Sequence, residues 1–309
     1  MTKSALTIGT RGSDLALAQA TATETALRDA LPQLRIERRI ITTTGDRRTD
    51  VPLSQVAQSD GQLDKGVFTK ELEIALAAGE IDIAVHSLKD VPTIIAPAFE
   101  IVGTLPRAGI RDVLISPVPG GLDALAPGST VGTSSVRRAM QLRWLRPDLD
   151  VTDLRGNVPT RLRKVAEGTC DAIMLAEAGL ERLGHPVTGP ATLHDTTLHF
   201  TALDPTEFFP AASQGAIGLE IRRDDDHARR AVEAINDPDG FTRILAERKF
   251  LHLLDAGCHT PVGVTCHLFG HQLTMSARVF PEAGGEPRTA EATGTDPIEV
   301  AQQLYRSLT

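Results

Sequence analysis

Lys70-Glu71-Leu72-Glu73-Ile74-Ala75-Leu76-Ala77-Ala78-Gly79-Glu80-Ile81-Asp82-Ile83-Ala84-Val85 decides the fold class of this chain. The helix-period segment 70–78 stops at Gly79, a residue suited to the left-handed position that closes a helix. The short apolar run 81–85 that follows reads as a buried parallel strand. The same alternation extends upstream. Leu6-Thr7-Ile8-Gly9 reads as a strand, 14–31 as a helix through Leu15, Ala18, Ala22 and Ala26, and 34–43 as a second strand. Strands alternating with helices predict βαβ units and an open α/β sheet with helices on both faces.

The pattern restarts beyond Pro117-Val118-Pro119-Gly120-Gly121. Strands are expected at 130–132, 150–154 and 171–175, with helices at 135–145 and 159–167, which makes a second α/β domain. A third segment begins near Asp224-Asp225-Asp226. It has a helix-like run over 243–254, strand-like runs at 263–268 and 273–279, and a closing helix over 296–307. The alternation thus divides the chain into two α/β domains and a third domain at 224–309. The Gln-, Asp- and Gly-rich stretch 54–65 reads as a long loop, and such loops in compact domains are often functional.

Composition narrows the function classes. A net charge of -8 with pI ≈ 5.6 argues against nucleic-acid binding by the whole chain, and 4% aromatic content leaves few stacking platforms for single strands. Three cysteines, an odd number, do not resemble a disulfide framework, so a reducing cytoplasm is expected. No secretory signal or membrane span is visible in the sequence, so no membrane partner is expected.

The basic groups nonetheless follow a pattern. Arg11, in Gly9-Thr10-Arg11-Gly12-Ser13, follows a strand and opens a helix. Thr133-Ser134-Ser135 follows another, with Arg137 and Arg138 in the next helical turn. Leu154-Arg155-Gly156-Asn157 ends a third, with Arg161 and Arg163 in the helix beyond. The carboxyl ends of strands are where open α/β sheets bind ligands, and helix N-termini there favour anions. Guanidinium forks match carboxylates, and no glycine-lysine nucleotide loop is present. A further strand end carries His86-Ser87-Leu88-Lys89-Asp90-Val91-Pro92, where Asp90 could shuttle protons and face a cation. A lone loop acid is also a common turn or capping residue.

Cys258 stands in Asp255-Ala256-Gly257-Cys258-His259-Thr260-Pro261, a tight loop after a helix-like run. A thiolate fixed on such a loop suits covalent attachment, and a small buried hydrophobe closing a turn suits it too. A metal site from Cys258, His259, Cys266 and His267 matches no standard zinc spacing. Cys170 and Cys266 fall in strand patterns and read as core.

Taken in order, these pieces resemble the porphobilinogen deaminase (hydroxymethylbilane synthase) family over nearly the whole chain. The resemblance rests on Thr10-Arg11-Gly12-Ser13, Lys65-Gly66-Val67-Phe68 and His86-Ser87-Leu88-Lys89-Asp90-Val91-Pro92. It continues through Gly132-Thr133-Ser134-Ser135 with Arg137-Arg138, Leu154-Arg155-Gly156-Asn157-Val158 with Arg161, Gln214-Gly215-Ala216, and Glu247-Arg248 leading to Gly257-Cys258. It implies three domains: domain 1 at 1–105 with a return segment at 206–223, domain 2 at 106–205, both similar to type II periplasmic binding proteins, and a small α+β domain 3 at 224–309 carrying the cysteine. It implies a transferase that condenses four porphobilinogen molecules, with loss of ammonia, into hydroxymethylbilane. It implies a dipyrromethane cofactor held by Cys258 through a thioether, Asp90 as the catalytic acid, a monomer, and no metal. Substrate and cofactor carboxylates would be bound by Arg11, Ser13, Lys89, Thr133, Ser134, Ser135, Arg137, Arg138, Arg155, Arg161 and Arg182, with Lys65 and Phe68 on the loop. The chain departs from the family pattern at Leu63-Asp64, at Asp255-Ala256, and at Ser213, where glycine is common. An uptake-type anion-binding protein of the same fold is the main alternative, and it has no use for Cys258.

Overall fold

A computed structural model describes residues 5–43, 68–255, 260–281 and 284–309. In chain order the first elements are β1 (Ala5–Thr10), α1 (Asp14–Ala30), β2 (Arg35–Ile40), α2 (Lys70–Ala77), β3 (Ile83–Ser87) and β4 (Phe99–Thr104). Next come β5 (Asp112–Ser116), β6 (Thr130–Gly132), α3 (Val136–Leu145), β7 (Asp150–Thr152), α4 (Val158–Ala166), β8 (Ala172–Ala176), α5 (Glu177–Arg182), β9 (Gly189–Leu193) and β10 (Thr196–Ala202). The remainder is β11 (Ile217–Arg222), α6 (Asp226–Glu233), α7 (Pro238–Leu253), β12 (Val262–Phe269), β13 (Gln272–Val279), β14 (Arg288–Gly294) and α8 (Pro297–Leu308). The chain divides into two compact units, Met1–Arg107 with Gly215–Leu245, and Ala108–Gln214 with Ala246–Thr309.

The first unit is built on a sheet of order β2-β1-β3-β11-β4. β1 runs parallel to β2 and β3, as the alternation predicts. β11 lies between β3 and β4 and is antiparallel to both, so the sheet is mixed rather than wholly parallel. No local pattern announces this, because β11 returns from a distant part of the chain instead of through a helical crossover. One face buries Leu6, Ile8, Ile83, Val85, Leu219 and Ile221 against Leu27 of α1 and Ala228, Ala231 and Val232 of α6. The other covers Ala84 and Phe99 with Leu72, Ala75 and Leu76 of α2. The strand expected at 81–85 begins only at Ile83 and runs on to Ser87. Asp82 is taken up instead by the Thr7 amide at 2.9 Å and by Arg222 at 2.9 Å. That pairing uses the acid to pin the entry to the strand.

The second unit holds a mixed sheet of order β7-β6-β8-β5-β10-β9. Its core contains Val113, Ile115, Ile173, Leu175 and Phe200. The antiparallel sheet β12-β13-β14 and α8 supply the small C-terminal α+β part, packed around Val264, Met275, Val300 and Leu304. The expected α/β class with such an appendage is therefore present. Among the described residues, no helix is long and apolar enough to cross a membrane.

Candidate active site

In the first unit, the turn from β1 into α1 is fixed by two local hydrogen bonds. The buried Thr10 hydroxyl donates to the Ala16 carbonyl at 3.1 Å, and Ser13 caps α1 by accepting from the Ala16 amide at 3.3 Å. Arg11 stands between them, its guanidinium 4.1 Å above the Phe68 ring, a cation–π stack that orients the fork. β3 ends in a 3-10 turn, Leu88–Asp90, whose first residue is buried and whose amide donates to the Ala216 carbonyl at 3.1 Å. This anchoring leaves Lys89 exposed and Asp90 half-buried. Arg11, Ser13, Phe68, His86, Ser87 and Asp90 then line one pocket, with Gln19 tied to Ser87 Oγ at 2.7 Å. Four residues expected from the sequence meet there. Lys65 and Cys258 lie outside the described residues.

In the second unit, Ser135 caps α3 and accepts from the Arg138 amide at 3.4 Å, while Thr133 Oγ1 accepts from the Ser135 amide at 3.2 Å. Ser134 donates to the Leu154 carbonyl at 2.7 Å. Asn157 caps α4, and Arg161 Nε reaches back to the Gly156 carbonyl at 2.7 Å. Gly156 has φ +124, and a Cβ there would stand 2.7 Å from Thr160 Cγ2, so only glycine fits this strand-to-helix corner. Arg182 closes α5, where burial lowers its pKa and Glu181 opposes that.

Arg137 and Arg138 are almost wholly buried and share Asp112. Arg137 Nη1 donates to Asp112 Oδ2 and to the Phe209 carbonyl, each at 2.6 Å. Arg138 donates to Asp112 Oδ1 through Nε at 2.9 Å and Nη2 at 2.6 Å, and to the Met174 carbonyl through Nη1 at 2.9 Å. Gln214 Nε2 adds a bond to Asp112 Oδ1 at 3.2 Å. Burial alone would raise the Asp112 carboxyl, but the two guanidiniums overcome it and hold it well below the usual carboxylate range. One carboxylate facing two guanidiniums leaves a net positive charge. Arg137 Nε and Arg155 Nη1 are moreover buried with no hydrogen-bond partner. Buried donors left unmade are costly and rare, so these two atoms are available to an anionic group.

Sequence reasoning misses Asp112 and the pairing of His86 with Glu220. The available signal at Asp112 was an acid heading the apolar run Val113-Leu114-Ile115, since a charge at the mouth of a buried strand needs a partner. Which partners it finds is set by tertiary packing.

Guanidinium clusters at strand ends, an acid beside one of them and unpaired buried donors mark an α/β protein whose strand ends suit anionic groups. The comparisons with known proteins make this specific. Residues 6–230 match the family model "Porphobilinogen deaminase, dipyromethane cofactor binding domain", and residues 241–309 match "Porphobilinogen deaminase, C-terminal domain". The porphobilinogen deaminase of Syntrophobacter fumaroxidans is 43% identical over 96% of this chain and 90% of that relative. The one from Nitrobacter winogradskyi is 47% identical over 91% and 84%, respectively. This chain belongs to the porphobilinogen deaminase family. Among solved structures, the methionine binding protein MetQ aligns with a TM-score of 0.46 and 13% identity, covering 77% of this chain and 92% of that one.

Proposed function

We propose that this chain is the transferase that condenses four porphobilinogen molecules head to tail, with loss of ammonia, into the linear tetrapyrrole hydroxymethylbilane, primed by a covalently bound dipyrromethane. Each pyrrole carries an acetate and a propionate, so the growing chain is a polyanion. The observation that carries the reading is the first-unit pocket, where Arg11 and Asp90 line the same space. A guanidinium can hold a ring carboxylate there while a carboxylate faces the cation left when ammonia departs. Asp90 is assigned that role, together with holding the pyrrole N–H. Ser13 and Lys89 support substrate carboxylates. In the second unit, Arg137, Arg155, Arg161 and Arg182 hold further carboxylates, with Thr133, Ser134 and Ser135 as neutral donors. Arg138, each of whose nitrogens already donates, contributes charge and holds Asp112.

The buried Arg137 Nε and Arg155 Nη1 fit a carboxylate-bearing cofactor. When bound, the dipyrromethane supplies the free α-carbon at which the first condensation occurs. Cys258 is assigned as its thioether anchor, and Lys65 and Phe68 are assigned to the loop that precedes α2 in the sequence. We place the protein in the cytoplasm, a reading supported by its three cysteines, and as a monomer, which the family resemblance implies.

Intact-protein mass spectrometry together with a porphobilinogen assay tests this. The wild type should carry the added mass of two pyrrole units and release ammonia from porphobilinogen. Cys258→Ser should lack the mass, and Asp90→Ala should fold yet turn over no substrate. An unmodified, active wild type would remove the cofactor assignment, and full turnover by Asp90→Ala would remove Asp90 from the mechanism.

A further inference from the structure

The α2 face of the first sheet changes character at its pocket end. Leu72, Leu76, Ala84 and Phe99 form a dry layer, and the next inward residues on β3 and β11 are His86 and Glu220. His86 Nε2 lies 2.9 Å from Glu220 Oε2, and Glu220 Oε1 is buried without a hydrogen-bond partner. Glu73 of α2 adjoins the pair. Burial raises its carboxyl above the ordinary value and the Glu220 charge adds to this, while His86 and a hydrogen bond with Thr69 oppose it. Two carboxylates and an imidazole are an expensive filling where apolar side chains of similar volume would serve. Strand registry does not call for them, since β3 and β11 already pair from Ser87–Ile217 to Ala84–Glu220. His86 also lines the pocket that holds Asp90 and Arg11.

We propose that His86, oriented by Glu220, is a second proton-handling residue of this pocket. The inference rests on the porphobilinogen-condensing reading and deepens it. When Nε2–H donates to Glu220, Nδ1 is the ring nitrogen left to take a proton. In each condensation the aminomethyl C–N bond breaks with its electron pair going to nitrogen, so ammonia leaves the ammonium form and a cationic methylene pyrrole remains. The free α-carbon of the preceding ring bonds to that methylene, and its hydrogen then leaves as a proton, restoring the aromatic ring. The products balance as one ammonia and one proton, together ammonium. Asp90 has to remain anionic while it faces the cation. His86 takes the proton in the last step and passes it to ammonia or water.

The test uses the full-length holoenzyme, porphobilinogen, and porphobilinogen deuterated at its free α-position. His86→Gln keeps an N–H for Glu220 and removes the base. It should lower kcat about a hundredfold, leave KM within about threefold, and enlarge the isotope effect on kcat, a change that loss of packing alone does not produce. Glu220→Gln, the milder change, should cost about tenfold in kcat and carries the same test if His86→Gln does not fold. A folded variant with kcat within about twofold of an active wild type, and an unchanged isotope effect, overturns this inference alone. A wild type that releases no ammonia from porphobilinogen overturns the functional reading and this inference with it.

Discussion

Ser213 is held in the left-handed region at φ +60, and its hydroxyl is buried without a partner. Its amide donates to Glu247 Oε2 at 2.6 Å, and the turn it makes delivers Gln214 to the Ile110 carbonyl at 2.8 Å and to Asp112. The conformation is therefore useful, and serine is a costly way to reach it. A non-glycine residue in this region costs about 1–2 kcal/mol, and an orphaned buried hydroxyl about 1–3 kcal/mol. Glycine gives back about 0.4–1 kcal/mol through the unfolded chain. Ser213→Gly should raise stability by about 1 kcal/mol or more, read as a higher urea midpoint at unchanged slope. A lower midpoint would mean that Ser213 makes a contact this geometry lacks. The departure from glycine at this position was visible in the sequence. Its cost was not, because neither φ nor burial is written in a single residue.

At the scale of elements, the head of β5 and the first turn of α3 form one electrostatic unit through Asp112, Arg137 and Arg138. Asp112 is fully buried, so removing its charge strands two guanidiniums. Asp112→Asn should cost about 3–5 kcal/mol at pH 7. The acid dependence follows from the lowered carboxyl. A carboxyl whose folded pKa lies below its unfolded value of about 3.9 contributes stability above that value and loses it as pH falls toward the folded one. Urea titrations at pH 7 and pH 3 should therefore show a larger loss in wild type than in Asp112→Asn. Equal losses would separate Asp112 from the acid lability. The elements themselves were largely legible: α3 begins at Val136 with Ser135 as its cap, and α8 at Pro297 with Asp296 as its cap, each within a residue of expectation. Helix period and capping chemistry are local, and they read well. β4, β5, β9, β10, β11 and β14 escape the sequence reading, since short runs declare themselves only when a neighbouring strand pairs with them.

For the whole molecule, Arg137 Nε and Arg155 Nη1 are buried without a hydrogen-bond partner within the protein, and the proposed assignment gives them cofactor carboxylates to bind. On the proposed assignment of Cys258 as cofactor anchor, Cys258→Ser should unfold at a temperature several degrees below the loaded wild type, because each unmet buried donor costs about 1–3 kcal/mol. Coincident melting of the two would argue that these donors are not what the cofactor satisfies. The sequence by itself determined the α/β class, the strand-end placement of the arginines and Asp90, and the ordered motifs of the family. Those follow from periodicity, caps and short spacings, which act within a few residues. Only the tertiary structure decided that Arg137 and Arg138 converge on Asp112, that Glu220 stands behind His86, and that β11 enters the first sheet antiparallel. Burial removes water as a partner for charged and backbone groups, so each must find a partner within the fold, often one far away in the chain.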